Sequence, residues 1–296
     1  MKKIILYITI SAVLFSTMEV ALKITASDLD SLQITFLRFL IGGLFLLPFA
    51  FREMKQKQTV LHKADYLQLL FLGILCICIS MVFFQLGVER SNASTAAVIF
   101  SINPLFTIVF AHFITEEKLN VRKVVALTFG LAGIVLMMRL WDIDPGNSGS
   151  GLAFSLISAV IFGLYSAMSK SGIRKRGGLT QTSLSFLLGS LTMLPILWIA
   201  GKPVVSGIDA GNILLVLYIG IMVSGLGYLF YFLIMESADA GTASIVFFVK
   251  PALAPVIAVL VLEESMRISG VFGIMLILIS SFINLKKPKG KGARKS

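Results

Sequence analysis

Charge is what this chain has least of. Charged types make up 14% of its 296 residues, where a soluble domain carries about a quarter. So little polar surface cannot shield the chain from water. That excludes a soluble enzyme or nucleic-acid-binding domain, although the formal net charge is +11. Cysteine is scarce too: Cys76 and Cys78 are the two thiols, both inside one apolar run. Residues two apart lie on different faces of a helix, so neither a disulfide nor a metal clip joins them. The two histidines, His62 and His112, have no metal-ligand spacing with each other or with the cysteines. A nucleotide-binding G-x-x-x-x-G-K-[ST] loop is missing, since Gly201-Lys202 is followed by Pro203. No Ser/His/Asp grouping points to hydrolysis. These absences predict a protein that is not an enzyme and carries no metal or cofactor, with no nucleotide motor of its own.

What the chain does have is long apolar runs. Ten spans are predicted, near 4–22, 32–51, 66–88, 93–114, 122–140, 150–170, 180–200, 211–234, 241–262 and 268–285. Runs of that length cross a bilayer as helices. The first could be mistaken for a signal peptide, because Met1-Lys2-Lys3 precedes an apolar stretch. No small-x-small cleavage site follows, and Ile10–Phe15 recurs almost unchanged at 157–162, so the segment is read as a helix of the mature fold.

That recurrence is general. Between Glu89 and Glu117, 10 of 29 positions are identical 147 residues later, without a gap; roughly three would be expected from so biased a composition. Phe39, Leu40, Gly42, Leu47 and Pro48 return as Phe186, Leu187, Gly189, Leu194 and Pro195 at the same offset, and Lys23 returns as Lys170. The expected architecture is all-α: a polytopic membrane protein of ten transmembrane helices arranged as two inverted five-helix repeats, 1–141 and 150–285, with a basic tail at 286–296. Five is odd, so the second copy enters the membrane from the opposite side. Inverted repeats typify secondary transporters, whose substrates bind at midplane between the halves. Trp141–Gly149 reads as the linker, and the polar stretch Arg52–Asp65 as a loop without a motif.

Lysine and arginine set the expected orientation. With both termini cytoplasmic, 19 of the 26 fall on the inner side and 5 on the outer, leaving Arg38 and Lys250 inside helices. The net charge is then an inner surface facing anionic lipid.

Ionisable residues at membrane depth are functional candidates by default. Arg38 and Glu19 lie at similar depth, about 9 Å from the outer surface at 1.5 Å per residue. Glu19 is expected to pair with Arg38, or with Lys23 one turn on, or to serve as a proton- or cation-coupling group or substrate contact. Lys250 lies near midplane, directly before Pro251. Its ammonium has two candidate roles: satisfying the Phe247 carbonyl that Pro251 cannot bond, or lining a wet central cavity and meeting a substrate carboxylate. Asn103, before Pro104, holds the matching place in the fourth span, and Pro255 adds to the kink of the ninth. Tyr165, Tyr228 and Tyr231 place hydroxyls at depth, and Gln85 is a further candidate lining residue. Glu116-Glu117 and Glu263-Glu264 close the fourth and ninth spans on opposite sides, as headgroup-level helix ends or as gate contacts.

With these residues in view, the chain resembles the ten-helix EamA-type exporters of the drug/metabolite transporter superfamily, from Ile4 to Leu285. The resemblance rests on the duplicated unit, Arg38-Phe39, Asn103-Pro104 with Glu116-Glu117, Lys250-Pro251 with Glu263-Glu264, and Phe162-Gly163-Leu164-Tyr165, which is similar to the family's Trp-small-x-Tyr. Phe162 replaces that Trp, Phe15-Ser16 stands where Trp-Gly is frequent, and Glu19 lies outside the family pattern. The resemblance implies export of small metabolites, often amino acids or related compounds, across a bacterial cytoplasmic membrane. The expected partners are a small-molecule substrate, the lipid bilayer and a proton or ion gradient. Alternatives are a passive uniporter or exchanger of the same fold, a lipid-handling membrane protein, and a pore-forming subunit.

Overall fold

Lipid offers the backbone no hydrogen bonds, so apolar runs close their own as helices. A computed structural model describes residues 2–114, 121–138, 145–237 and 245–285, and among these every regular element is helical. In chain order they are α1 (Lys2–Thr25), α2 (Ser31–Lys57), α3 (Lys63–Glu89), α4 (Ala93–Ile114), α5 (Val121–Met138), α6 (Gly149–Arg176), α7 (Gly178–Ile199), α8 (Ile213–Ile234), α9 (Ile245–Leu262) and α10 (Ile268–Leu285). Seven helices among the described residues are long and apolar enough to cross a membrane: α1 to α4, α6, α7 and α8. Shorter apolar stretches occupy Val249–Leu262 and Ile268–Ser280. Glu116 and Glu117, most of the linker and the basic tail lie outside the described residues.

The helix ends follow local chemistry. Asp30 caps α2 by accepting from the Leu32 N–H at 2.9 Å, and Ser148 caps α6 by accepting from the Gly151 N–H at 3.0 Å. One residue separates α6 from α7. Gly177 takes φ +96°, and a Cβ there would strike the Glu53 carboxylate, so only glycine fits.

The stretch Arg52–Asp65 is more than a polar loop. α2 runs on to Lys57, and Glu53 and Asp65 are both buried. Glu53 accepts from the Thr180 backbone N–H and hydroxyl, each at 2.7 Å, and from Lys57. Asp65 accepts from Arg176 at 2.7 Å and from Lys175 at 3.0 Å. This polar network ties the ends of α2, α3, α6 and α7 together. At the opposite ends Lys202 lies 2.7 Å from Asp30, whose hydrogen bond and negative charge hold the ammonium above the usual lysine range.

The helices pack in pairs that recur at the 147-residue offset. α2 lies along α8 as α7 lies along α3; α1 borders α9 as α6 borders α4; α5 and α10 lie against each other. Individual contacts repeat as well. The Ser11 hydroxyl donates to the Gly227 carbonyl at 3.0 Å, and at the equivalent positions the Ser80 hydroxyl donates to the Ser158 carbonyl at 3.0 Å. Phe39 and Phe186, themselves offset partners, meet edge to face at 4.7 Å. α3 and α8 each contain a π-helical stretch, Ile74–Met81 and Tyr218–Gly227, where one extra residue per turn widens the helix.

Small residues let these helices approach closely. A Cβ on Gly73 would lie 2.4 Å from the Ser185 carbonyl oxygen and 2.9 Å from the Gly189 Cα, both immovable backbone. Gly73→Ala is therefore expected to destabilise the fold by about 1–3 kcal/mol through overpacking. Gly270→Ala, which meets only side-chain atoms at 3.5 Å, is expected to be tolerated. Thermal unfolding of the two variants in detergent checks this; equal midpoints would contradict the close α3–α7 contact.

Candidate functional site

Bends, breaks and prolines mark the helices that carry the polar candidates. α1 bends at Thr17, whose hydroxyl donates to the Leu14 carbonyl at 2.9 Å and lies 2.6 Å from the Tyr218 hydroxyl of α8. α4 breaks at Ser101–Ile102, just ahead of Asn103-Pro104. Pro104 has no N–H for the Phe100 carbonyl, and the Asn103 amide supplies one instead, donating at 2.8 Å. Asn103 thus mends its own helix. α9 carries Pro251 and Pro255 inside it, with Lys250 immediately before the first.

Glu19 and Lys250 meet across the bundle. Glu19 Oε1 lies 2.6 Å from Lys250 Nζ, with side-chain exposures of 1% and 3%. The ammonium and the carboxylate are in direct ionic contact. Neither expected partner of Glu19 is the one found: Lys23 instead donates to the Ser91 carbonyl, and Arg38 turns to sulfur. Nor does Lys250 line a solvent-filled cavity in this conformation. Its ammonium is closed against Glu19 and against the rings of Phe100 and Phe84, at 5.2 and 5.9 Å from their centroids.

Arg38 completes the group. It is 1% exposed. Its two terminal nitrogens point at the sulfurs of Met18 (3.4 Å) and Met81 (3.1 Å), and its Nε has no partner. Its guanidinium carbon lies 4.4 Å from the Phe39 ring centroid and 5.9 Å from that of Phe84. Phe84 therefore stands beside both cations, and such ring contacts partly offset the loss of water around a cation. Gln85 is fully buried with both amide atoms unpartnered. It follows Met81 by one helical turn, so it shares the face that meets Arg38.

The remaining candidates surround this centre unevenly. Tyr228 packs edge-on against Phe15 and Phe186, each at 5.2 Å. Tyr165 is buried beside Phe162 at 5.4 Å, one ring removed from Phe100. Tyr231 packs on Phe232 at 5.5 Å, where the main core borders a smaller cluster around Leu46 and Leu179. Glu264 is engaged at the helix ends. Its carboxylate accepts from the Ser94 backbone N–H at 3.1 Å and from the Ser94 hydroxyl at 2.6 Å, capping the first turn of α4 from the end of α9. Glu263 beside it takes φ 55° and stays exposed. Phe84, Phe100, Met18 and Met81 went unnoticed in the sequence. Their one visible signal is position, on helices that also carry Gln85, Asn103 and Glu19.

A sequence model described as the EamA-like transporter family matches residues 2–139 and again 149–286. The chain belongs to that family. It is a multi-pass membrane protein and a transporter. An uncharacterized transporter of Clostridium kluyveri is 39% identical over 295 residues, covering 98% of this chain and 95% of that one. An uncharacterized transporter of Archaeoglobus fulgidus is 25% identical over 268 residues, covering 90% of this chain and 93% of its own, and protein PagO of Salmonella typhimurium is 27% identical over 248 residues, covering 81% and 79%. A solved crystal structure superposes with TM-score 0.68 over 94% of this chain and 95% of its own, at 18% identity, a likeness of fold.

The Glu19–Lys250 pair makes a separable demand on stability. Lys250→Met leaves the Glu19 carboxylate buried and uncompensated, a loss of about 3–5 kcal/mol for a buried pair. Adding Glu19→Gln to it removes the orphaned charge and is expected to recover most of that loss. Thermal unfolding of the single and double variants measures the difference; a double variant no more stable than the single one would show that the two groups are not coupled.

Proposed function

We propose that this transporter is a secondary active exporter, moving small metabolites such as amino acids or related compounds out across a bacterial cytoplasmic membrane by alternating access. The observation that carries the reading is the buried group of Glu19, Lys250 and Arg38. Charges are expensive at membrane depth and are kept there for pathways and coupling. The three come from α1 and α2 at the start of the chain and from α9 near its end, where a relative movement of the helices would change which charges meet.

The frame favours the same reading. We take 1–141 and 150–285 as inverted five-helix repeats making ten crossings, a reading supported by helix pairs and single contacts that recur 147 residues apart. The lysine and arginine distribution supports cytoplasmic termini. In that orientation the Glu264 cap on α4 closes the outer end, the network of Glu53, Asp65 and Arg176 closes the inner end, and the charges between them are enclosed. This is the occluded member of an alternating-access cycle, with the substrate site between the repeats. Glu19, able to exchange Lys250 for a proton, is the coupling group in this scheme.

Reconstitution in liposomes tests it. A screen of amino acids and nucleobases, with and without an imposed pH gradient, is expected to find a saturable substrate whose flux follows the gradient. Glu19→Gln, verified as folded, is expected to slow that flux by roughly tenfold or more, about 1.4 kcal/mol, and to flatten its pH dependence. Unsaturable flux would mean a pore, gradient-independent exchange a passive carrier, and an unchanged Glu19→Gln variant would remove Glu19 from coupling.

A further inference from the structure

We infer that the ligand of this centre is an organic monoanion: a carboxylate with a flat apolar body and no compensating ammonium. The inference deepens the exporter reading and rests on the same site.

The argument is charge balance. Arg38 and Lys250 are cations and Glu19 is the single acid among the described residues at the centre, so the buried group sums to one positive charge. The other two buried carboxylates among the described residues, Glu53 and Asp65, are occupied at the far ends of α2 and α3. An uncompensated charge in a dry interior is strongly unfavourable. A ligand of net charge −1 makes the centre neutral. A zwitterion leaves the excess in place, and a cation raises it.

The excess also has an address. Lys250 has Glu19 at 2.6 Å. Arg38 has only two thioether sulfurs, which are weak acceptors, and a buried Nε with none. A guanidinium is a planar fork that takes a carboxylate through two parallel hydrogen bonds, and either sulfur is readily displaced by an anionic oxygen. The walls decide the rest of the ligand. Phe39 and Phe84 border the guanidinium, and Phe186 extends the ring surface from Phe39. Rings pack on a flat apolar body at offset or edge-on geometry. Gln85, buried with both amide atoms unpartnered, suits a hydroxyl or carbonyl substituent.

Three probes of one shape isolate the charge: 3-phenylpropionate (net −1), phenylalanine (net 0) and phenethylamine (net +1). Calorimetry on the purified full chain in detergent is expected to give 3-phenylpropionate at least roughly tenfold tighter binding than phenylalanine, with phenethylamine weakest. Arg38→Met removes the excess charge and is expected to abolish the preference for the anion. Arg38→Lys restores the positive charge without the fork and is expected to restore the preference in part, which separates charge from folding damage. Equal or tighter binding of phenylalanine, binding of none of the three, or an Arg38→Met variant that keeps the preference overturns the inference. The transport reading fails separately. Flux of phenylalanine with the reversed binding order would sink the monoanion and leave the exporter standing. Tight 3-phenylpropionate binding without flux of any probe in liposomes would support the monoanion and count against export.

Discussion

Everything at the middle of this bundle answers to the removal of three ionised groups from water. Each ion carries a desolvation penalty of several kcal/mol, and mutual attraction offsets it only where geometry is close. Glu19 and Lys250 meet that condition. Arg38 does not, and leans instead on sulfur and on ring faces. The surrounding structure is shaped by the need to hold these groups at one level. The bend at Thr17 lets α1 turn just before Glu19, and Pro251, inside α9, removes one backbone N–H from the helix beside Lys250.

The frame is paired, while the charges are not. At the 147-residue offset the contacts of α2 with α8 reappear in α7 with α3, and serine–carbonyl bonds reappear at matching places. Yet the positions matching Glu19, Arg38 and Lys250 hold Ser166, Ser185 and Asn103. Met18 and Met81, which face the guanidinium, correspond to Tyr165 and Tyr228. One member of each pair carries a charge or a soft acceptor, and the other a neutral polar or hydroxyl-bearing side chain. Asn103 shows what the neutral member does, since its amide is spent on the Phe100 carbonyl. The duplicated scaffold supplies the mechanics, and the divergence within it supplies chemical direction.

Much of this was legible beforehand. Long apolar runs, prolines at their middles and an ungapped offset are one-dimensional signals, and Glu19, Arg38 and Lys250 stood out because so little else in those runs is ionisable. The partners were not legible. Helical spacing speaks only of neighbours three and four residues away, so it suggested Lys23 for Glu19. The true partner is 231 residues distant and depends on how α1 and α9 lie together. Phe84 and Phe100 were hidden among 23 phenylalanines. Glu53 and Asp65 looked like solvated loop residues, because the helices around them continue past their apolar portions and bury them. The wide turns in α3 and α8 left no mark in hydropathy.

Those wide turns carry a mechanical consequence. Below its π stretch α3 is wedged through Gly73 against the backbone of α7; Met81 ends the stretch, and Phe84 and Gln85 lie above it. Were the surplus residue of one such turn to migrate past the upper segment, that segment would swivel by about 100°, the turn of a single α-helical residue, while the wedged segment stayed still. The helix is built like a torsion joint, with its clamp at one end and the side chains that grip the guanidinium at the other.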